Sequence, residues 1–338
     1  MFIPFITNRR SGARSVNRRD SHVSEEGITY EMTETEKEEA LLNSANPVFP
    51  DHHYGDPIKI YVYRDWFTAI ASGEGIESTH LIGSGNEFEG RLVGGGNRAG
   101  VYGTSVYGSG YPILDADGKK TTSVNNNNSR GVNGANFPYY FWPVVWPTPS
   151  DRNVTTNSDD AYLYSAEYRA PTETTRPGGI QHISTFVSAN ETSTFHLITD
   201  RYTTLELMHD IELSCGHLLN TDASTGPNTT HMPVDISAPE AADVELSPES
   251  AIQYYRASTI ALTLEGYNNT AALCADETFS ATPLPPTHDA TLLSCLNQTI
   301  GANALMMTSS NSAMAATMLP LWFVAALSFG GGVAVMAL

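Results

Sequence analysis

The sequence predicts an α+β fold: a small domain of order β-β-α-α-β-α, preceded by a glycine- and aromatic-rich irregular region and followed by an apolar C-terminal helix. Three observations predict it. His182 to Val187 and Ser193 to Thr199 are apolar and β-branched runs separated by turn-forming residues, the pattern of a hairpin. Arg201 to Cys215 places Tyr202, Leu205, Met208, Ile211 and Cys215 at helical spacing. Thirteen of the chain's 27 glycines fall between Gly83 and Gly134, a density that disfavours helices and long strands alike.

Taken in order, residues 1–50 form a region expected to be disordered, basic and then polar without apolar period. Within it Thr33 to Leu42 is a short helix candidate, opened by the capping box of Thr33 with Glu36 and ended at Asn46-Pro47. Residues 51–150 make the glycine- and aromatic-rich region with short strands. Ile58 to Phe67 alternates apolar and polar side chains and predicts one strand. Ile113 to Lys120 predicts a hairpin turning at Asp117-Gly118, and Asn125 to Asn128 is low complexity. Phe137 to Pro147 is a dense aromatic run broken by prolines. It cannot be a helix, and so much apolar surface must bury against something.

Residues 151–302 form the small α+β domain, best defined from Gln181 to Ala302. Asp200 can cap the Arg201–Cys215 helix. Asn220 to Leu246 reads as a polar loop. Ser247-Pro248 opens a second helix to about Ala257, with proline at its first position. Thr259 to Gly266 alternates as a strand, and Asp289 caps a last helix to about Ile300 with Leu292, Cys295, Leu296 and Ile300 inward. Residues 303–317 are a linker, and 318–338 are the apolar tail.

Charge excludes one class of function. The chain carries 18 basic and 37 acidic residues, a net charge of −19, and no lysine follows Lys120. From 151 to 300 five arginines face twenty acidic residues. A nucleic-acid groove needs clustered Lys and Arg to neutralise phosphates, so no nucleic-acid partner is expected. Low charge filled out with Asn, Ser, Thr, Gly and Pro suits a secreted or wall-associated, loop-rich protein.

The tail makes the membrane the expected partner. Met318 to Leu338 has no charge and is long enough to cross about 30 Å of hydrocarbon. A transmembrane helix is one reading, weakened by Pro320, the Gly330–Gly332 run and the lack of a following basic anchor. A glycosylphosphatidylinositol (GPI) attachment signal is the other, with Ser310 and Asn311 as lipid-attachment candidates before a short spacer. The N-terminal MFIPFI is too short for a secretory signal, which leaves a third reading, a tail-anchored protein facing the cytosol. Six Asn-X-Ser/Thr sequons, at Asn127, Asn153, Asn190, Asn228, Asn268 and Asn297, favour the lumenal route.

Of the three cysteines, Cys215 and Cys295 sit on the inward stripes of two helices of one domain, at matching Leu-Ser-Cys triplets. They are the expected disulfide, and Cys274 is left over. Motifs for catalysis and cofactors fail one after another. Gly83-Ser84-Gly85 lacks the third glycine of a dinucleotide fingerprint, with Phe88 in its place. Gly118-Lys119-Lys120 is not a P-loop, and neither a Gly-X-Ser-X-Gly elbow nor His-Glu-X-X-His occurs. Glu206 and His209, and Glu77 and His80, have ligand spacing without the rest of a metal site, and read as solvated groups. Asp51 to Asp56, with His52 and His53, reads as a solvated loop. No catalytic, cofactor-binding or metal-ligating residue is therefore expected, and no cofactor.

Gly96-Asn97-Arg98, Val101 to Ser105, Tyr107 to Pro112 and Phe141 to Trp146 carry a resemblance. So do Arg176 to Gly179, Gln253 to Ser258, Leu262 to Thr270 and Thr291 to Asn297. Over residues 94–300 the chain resembles a family of uncharacterised glycine-rich, membrane-associated or surface proteins of basidiomycete fungi. The resemblance implies a surface setting and no particular activity. The expected function is thus a membrane-anchored or cell-surface protein, non-enzymatic. The alternative is a hydrolase-like enzyme with a site assembled from scattered residues near the Phe137–Trp146 aromatics.

Overall fold

The computed structural model describes residues 54–112, 131–147, 161–164, 166–226, 232–244, 246–273 and 280–308. The Thr33–Leu42 helix, the Asp117-Gly118 hairpin, Cys274, the sequons at Asn127, Asn153 and Asn228, Ser310, Asn311 and the apolar tail lie outside these residues. Among the described residues no helix is long and apolar enough to cross a membrane.

The architecture is α+β. The first sheet orders β1 (Ile58–Val62), β2 (Asp65–Ile70) and β10 (Met306–Thr308), all antiparallel. β1 alternates buried and outward residues: Ile58, Ile60 and Val62 point into the core, Lys59 and Tyr61 away from it. The expected single strand Ile58–Phe67 is a hairpin instead. The chain reverses at Tyr63-Arg64, both in left-handed backbone (φ 52° and 61°). Two-residue hairpins need that conformation and usually recruit Asn-Gly for it, so Tyr-Arg gave no turn signal. A short ladder of β3 (Thr79–Leu81) and β4 (Leu92–Gly94) follows.

The second half holds the largest sheet, β7-β5-β6-β9-β8, antiparallel throughout. β5 (Gln181–Val187) and β6 (Thr194–Asp200) are the expected hairpin. β7 is Val234–Asp235, β8 is Ala251–Tyr255 and β9 is Ile260–Leu264. Here the second predicted helix is overturned: Pro248–Ser250 is one 3₁₀ turn, and Ala251–Tyr255 is a strand bonded to β9. Ser-Pro starts a helix locally, but Ile252, Tyr254 and Tyr255 fit a sheet surface, and pairing beside β9 prevails. The observed order is β-β-α-β-β-α, with β7 as a short edge.

α1 (Arg201–Cys215) starts at Asp200, whose side chain accepts the Thr203 N–H as foreseen. Its buried face takes in Thr203, Thr204 and Leu207 beside Tyr202, Met208, Ile211 and Cys215, while Leu205, expected inward, is half-exposed at its margin. α2 (Ala290–Asn303) is capped by Asp289, which accepts from Thr291 and Leu292. The two helices pack together over a core of Phe186, Phe195, Leu197, Leu262 and Leu264 from the sheet. A second apolar cluster draws on both sides of residue 150. It joins Ile58, Val93, Phe137, Phe141 and Trp146 to Ile198, Tyr202, Tyr254 and Met306. Residues 303–317, expected as linker, open with the last residue of α2 and then β10. Leu305, Met306 and Met307 are too apolar to leave in water and complete the first sheet.

Candidate functional site

The aromatic run is buried as its composition demands: Phe137, Tyr139, Tyr140, Phe141, Trp142 and Trp146 are each under 5% exposed. Prolines keep the run out of regular structure, so other segments satisfy its backbone. Val144 donates to Ser258 O, and its carbonyl accepts the Tyr107 hydroxyl. Val145 donates to the Gln181 side chain at 2.7 Å.

Behind this run lies a buried ion pair. Arg256 is fully buried, and its Nη2 donates to Asp200 Oδ2 at 2.6 Å. The guanidinium also donates to Thr259 Oγ1, Thr203 Oγ1 and Leu305 O, and lies 3.6 Å from the Phe141 ring centroid. Burial pushes its pKa down and the Asp200 charge opposes that. The loop that carries it, Arg256-Ala257-Ser258, holds three successive non-glycine residues in left-handed backbone (φ 50°, 50°, 60°). Gly178 approaches so closely that a Cβ there would collide with the Asp200 carboxylate. Every group of the pair is spent internally, so this is a structural node.

The open site lies beside it. A cleft of about 290 Å³ is bounded by the β1–β2 hairpin, the Gly85–Glu87 loop, Trp142, the Thr175–Gly178 loop and Tyr202. Strand alternation turns Lys59 and Tyr61 to the outer face of β1, and Trp66, paired across from Tyr61, shares that face. The Tyr61 and Trp66 rings meet at 5.2 Å, and Trp66 remains 41% exposed. The strained turn presents Tyr63 and Arg64 to the same cleft. Gly85, at φ 78°, leaves room for the Arg64 guanidinium, which would lie 3.1 Å from a Cβ.

Three cations therefore line one cleft: Lys59, Arg64 and Arg176. Arg176 is 4% exposed and, among the described residues, donates to the carbonyls of Tyr168, Trp142 and Pro143. Its Nε has no acceptor, and burial pushes its pKa down to about 10. The carboxylate in the lining, Glu87, is bound at 2.7 Å by Arg169 and is raised by burial. Chemically the cleft offers aromatic surface, positive charge, and the amide and hydroxyl of Asn86 and Thr175.

The candidate residues of the sequence fall elsewhere. Cys215 and Cys295 form a disulfide, with Cα atoms 5.9 Å apart. Asn190 is exposed on the β5–β6 turn, where its Oδ1 accepts the Thr192 hydroxyl at 2.7 Å. Asn268 is exposed after β9, whereas Asn297 is half-buried on α2 with its Oδ1 accepting from Tyr255. Glu206 is not solvated: it is 2% exposed and accepts the Gly55 N–H, while Tyr54 stacks on His209 at 4.1 Å. The packing of residues 54–55 over α1 buries it, a long-range contact that the helix pattern cannot show. No group of three or more His, Cys, Asp or Glu that could hold a metal occurs among the described residues. Sequence reasoning singled out several segments of the cleft, the alternating Ile58–Phe67 run, Gly85, the aromatic run with Trp142 and Arg176 to Gly179, without bringing them together. The signal it did not use was that Lys59 and Tyr61 fall on the outward side of that alternation. No protein-family model, no curated protein and no solved structure matches this chain.

Proposed function

We propose that this chain is a non-catalytic binding protein of the cell surface, folded in an oxidising compartment and held to the membrane by its apolar C-terminal segment. The Cys215–Cys295 disulfide carries the reading, because such bonds persist in secretory compartments and are rare in the cytosol. The exposed sequons at Asn190 and Asn268 and the resemblance to surface proteins support the same compartment. The cleft favours binding over turnover. It gathers aromatic and cationic groups, and its carboxylate is already held by Arg169.

Membranes of cells expressing the full chain test this directly. Glycosidase is expected to lower its mass, and phosphatidylinositol-specific phospholipase C to release it as a GPI-anchored protein. Retention after the lipase with a mass drop assigns the tail as a retained transmembrane helix. No mass change, with Cys215 and Cys295 freely alkylated before reduction, assigns the chain to the cytosolic side and overturns the proposal.

A further inference from the structure

We propose that the cleft between the β1–β2 hairpin and the Thr175–Gly178 loop binds an acidic saccharide, its carboxylate held among Lys59, Arg64 and Arg176 and its ring laid on Trp66. The proposal goes beyond the surface reading and does not depend on it, since binding is measured on purified protein.

Charge complementarity is the first support. The chain carries a net charge of −19, yet this cleft sets three cations against one carboxylate, Glu87, which Arg169 already pairs. Lys59 and Arg64 are exposed, and Arg176 is buried with no carboxylate in contact among the described residues. The carbonyls, the Trp142 ring 5.5 Å away and the charges of Asp200 and Glu173 offset its burial only in part, and an anion beside it lowers the remaining cost. Placement is the second support. The two-residue hairpin holds Tyr63 and Arg64 in left-handed backbone, and both line the cleft.

Shape and polarity choose the ligand. Trp66 and Tyr61 form a partly exposed aromatic ledge at the rim, a surface for the C–H face of a sugar ring. Asn86 and Thr175 already donate to Gly83 O and Glu173 Oε1, and their side-chain oxygens can accept from ring hydroxyls. A nucleotide phosphate fits poorly, because its usual cradle is a run of free backbone N–H groups. Here the Gly85 N–H is spent on Glu89 Oε2 at 3.0 Å and the Asn86 N–H on Gly83 O at 3.4 Å.

The test titrates the purified, oxidised full chain with trigalacturonate, its neutral methyl ester and benzoate, followed by tryptophan fluorescence and calorimetry. Trigalacturonate is expected to bind saturably, to weaken as salt rises, and to exceed the ester by about tenfold or more. Arg64→Gln is expected to weaken it about tenfold and Trp66→Ala about fivefold. Both positions are exposed, and unchanged melting temperatures will show that each variant is folded. Absence of binding by the folded wild-type chain overturns the proposal. So do equal affinity for the ester, benzoate bound as tightly as trigalacturonate, or variants that bind like wild type.

Discussion

Arg256 shows how one side chain can hold distant parts of this molecule together. Its guanidinium joins the cap of α1 through Asp200 and Thr203, the Leu305 carbonyl before β10, and the Phe141 ring. Arg256→Met is expected to leave Asp200 buried and unpaired and to cost about 3–5 kcal/mol, read as a lower urea midpoint. A midpoint unchanged from wild type would show that the pair contributes little. Histidines set the pH response at the same scale. His182 and His196 are buried, and desolvation lowers both pKa values below 6.5. The Ile180 carbonyl, Asp235 and Asp200 counter that at His182 and Arg201 adds to it, while Glu265 opposes it at His196, whose Nδ1 meets Thr185 Oγ1. The unfolded chain therefore takes up protons first, and stability is full above pH 6.5 and falls as the pH drops below it. Glu87 and Asp210, raised by burial, act in the opposite sense at lower pH. Urea midpoints at about pH 7.5 and about pH 5.5 should differ in that direction, and His196→Gln should narrow the gap.

Among the elements, α1 and α2 depend on their disulfide more than on propensity. The bridge closes a sequence separation of 80 residues and ties the C-terminal turn of α1 to the middle of α2. Replacing both cysteines, Cys215→Ser with Cys295→Ser, is expected to cost about 2–4 kcal/mol. Cys215 is fully buried, so its new hydroxyl keeps Thr299 Oγ1 as a neighbour, which limits the added penalty. Thermal melting of the oxidised wild type against the double variant measures the loss, and equal melting temperatures would make the bridge dispensable. The β1–β2 hairpin stands at the other extreme: its turn is strained, and its stability comes from Ile58, Ile60 and Val62 in the core and from β10 alongside.

At the scale of the whole molecule, one apolar cluster joins both halves of the described residues. Ile198, Tyr202, Ala251 and Tyr254, from the second half, pack with Ile58, Phe137 and Met306. Three of the four tryptophans, Trp66, Trp142 and Trp146, belong to the first half, whereas α1 and α2 belong to the second. Tryptophan fluorescence and helical circular dichroism thus report different halves. The shared cluster predicts coincident urea transitions by the two probes. Separate midpoints would mean that the halves unfold independently.

The sequence by itself determined α1 and α2, the β5–β6 hairpin, β9 and the cysteine pair. Asp200 and Asp289 cap their helices through neighbours in the chain, and the inward position of Cys215 and Cys295 follows from helical period. Local rules suffice where the deciding contacts are local. Tertiary structure decided the rest. Ala251–Tyr255 is a strand because β9 offers a partner edge, against the helix start written in Ser247-Pro248. Tyr63-Arg64 turns without a turn signal because the flanking strands are fixed by the core and by β10. Glu206 is buried because residues 54–55 return to α1 from 151 positions away. The cleft, too, exists only in the folded chain. Lys59 and Arg64 lie more than a hundred residues from Arg176, and the three cations come to one cleft only in the folded chain.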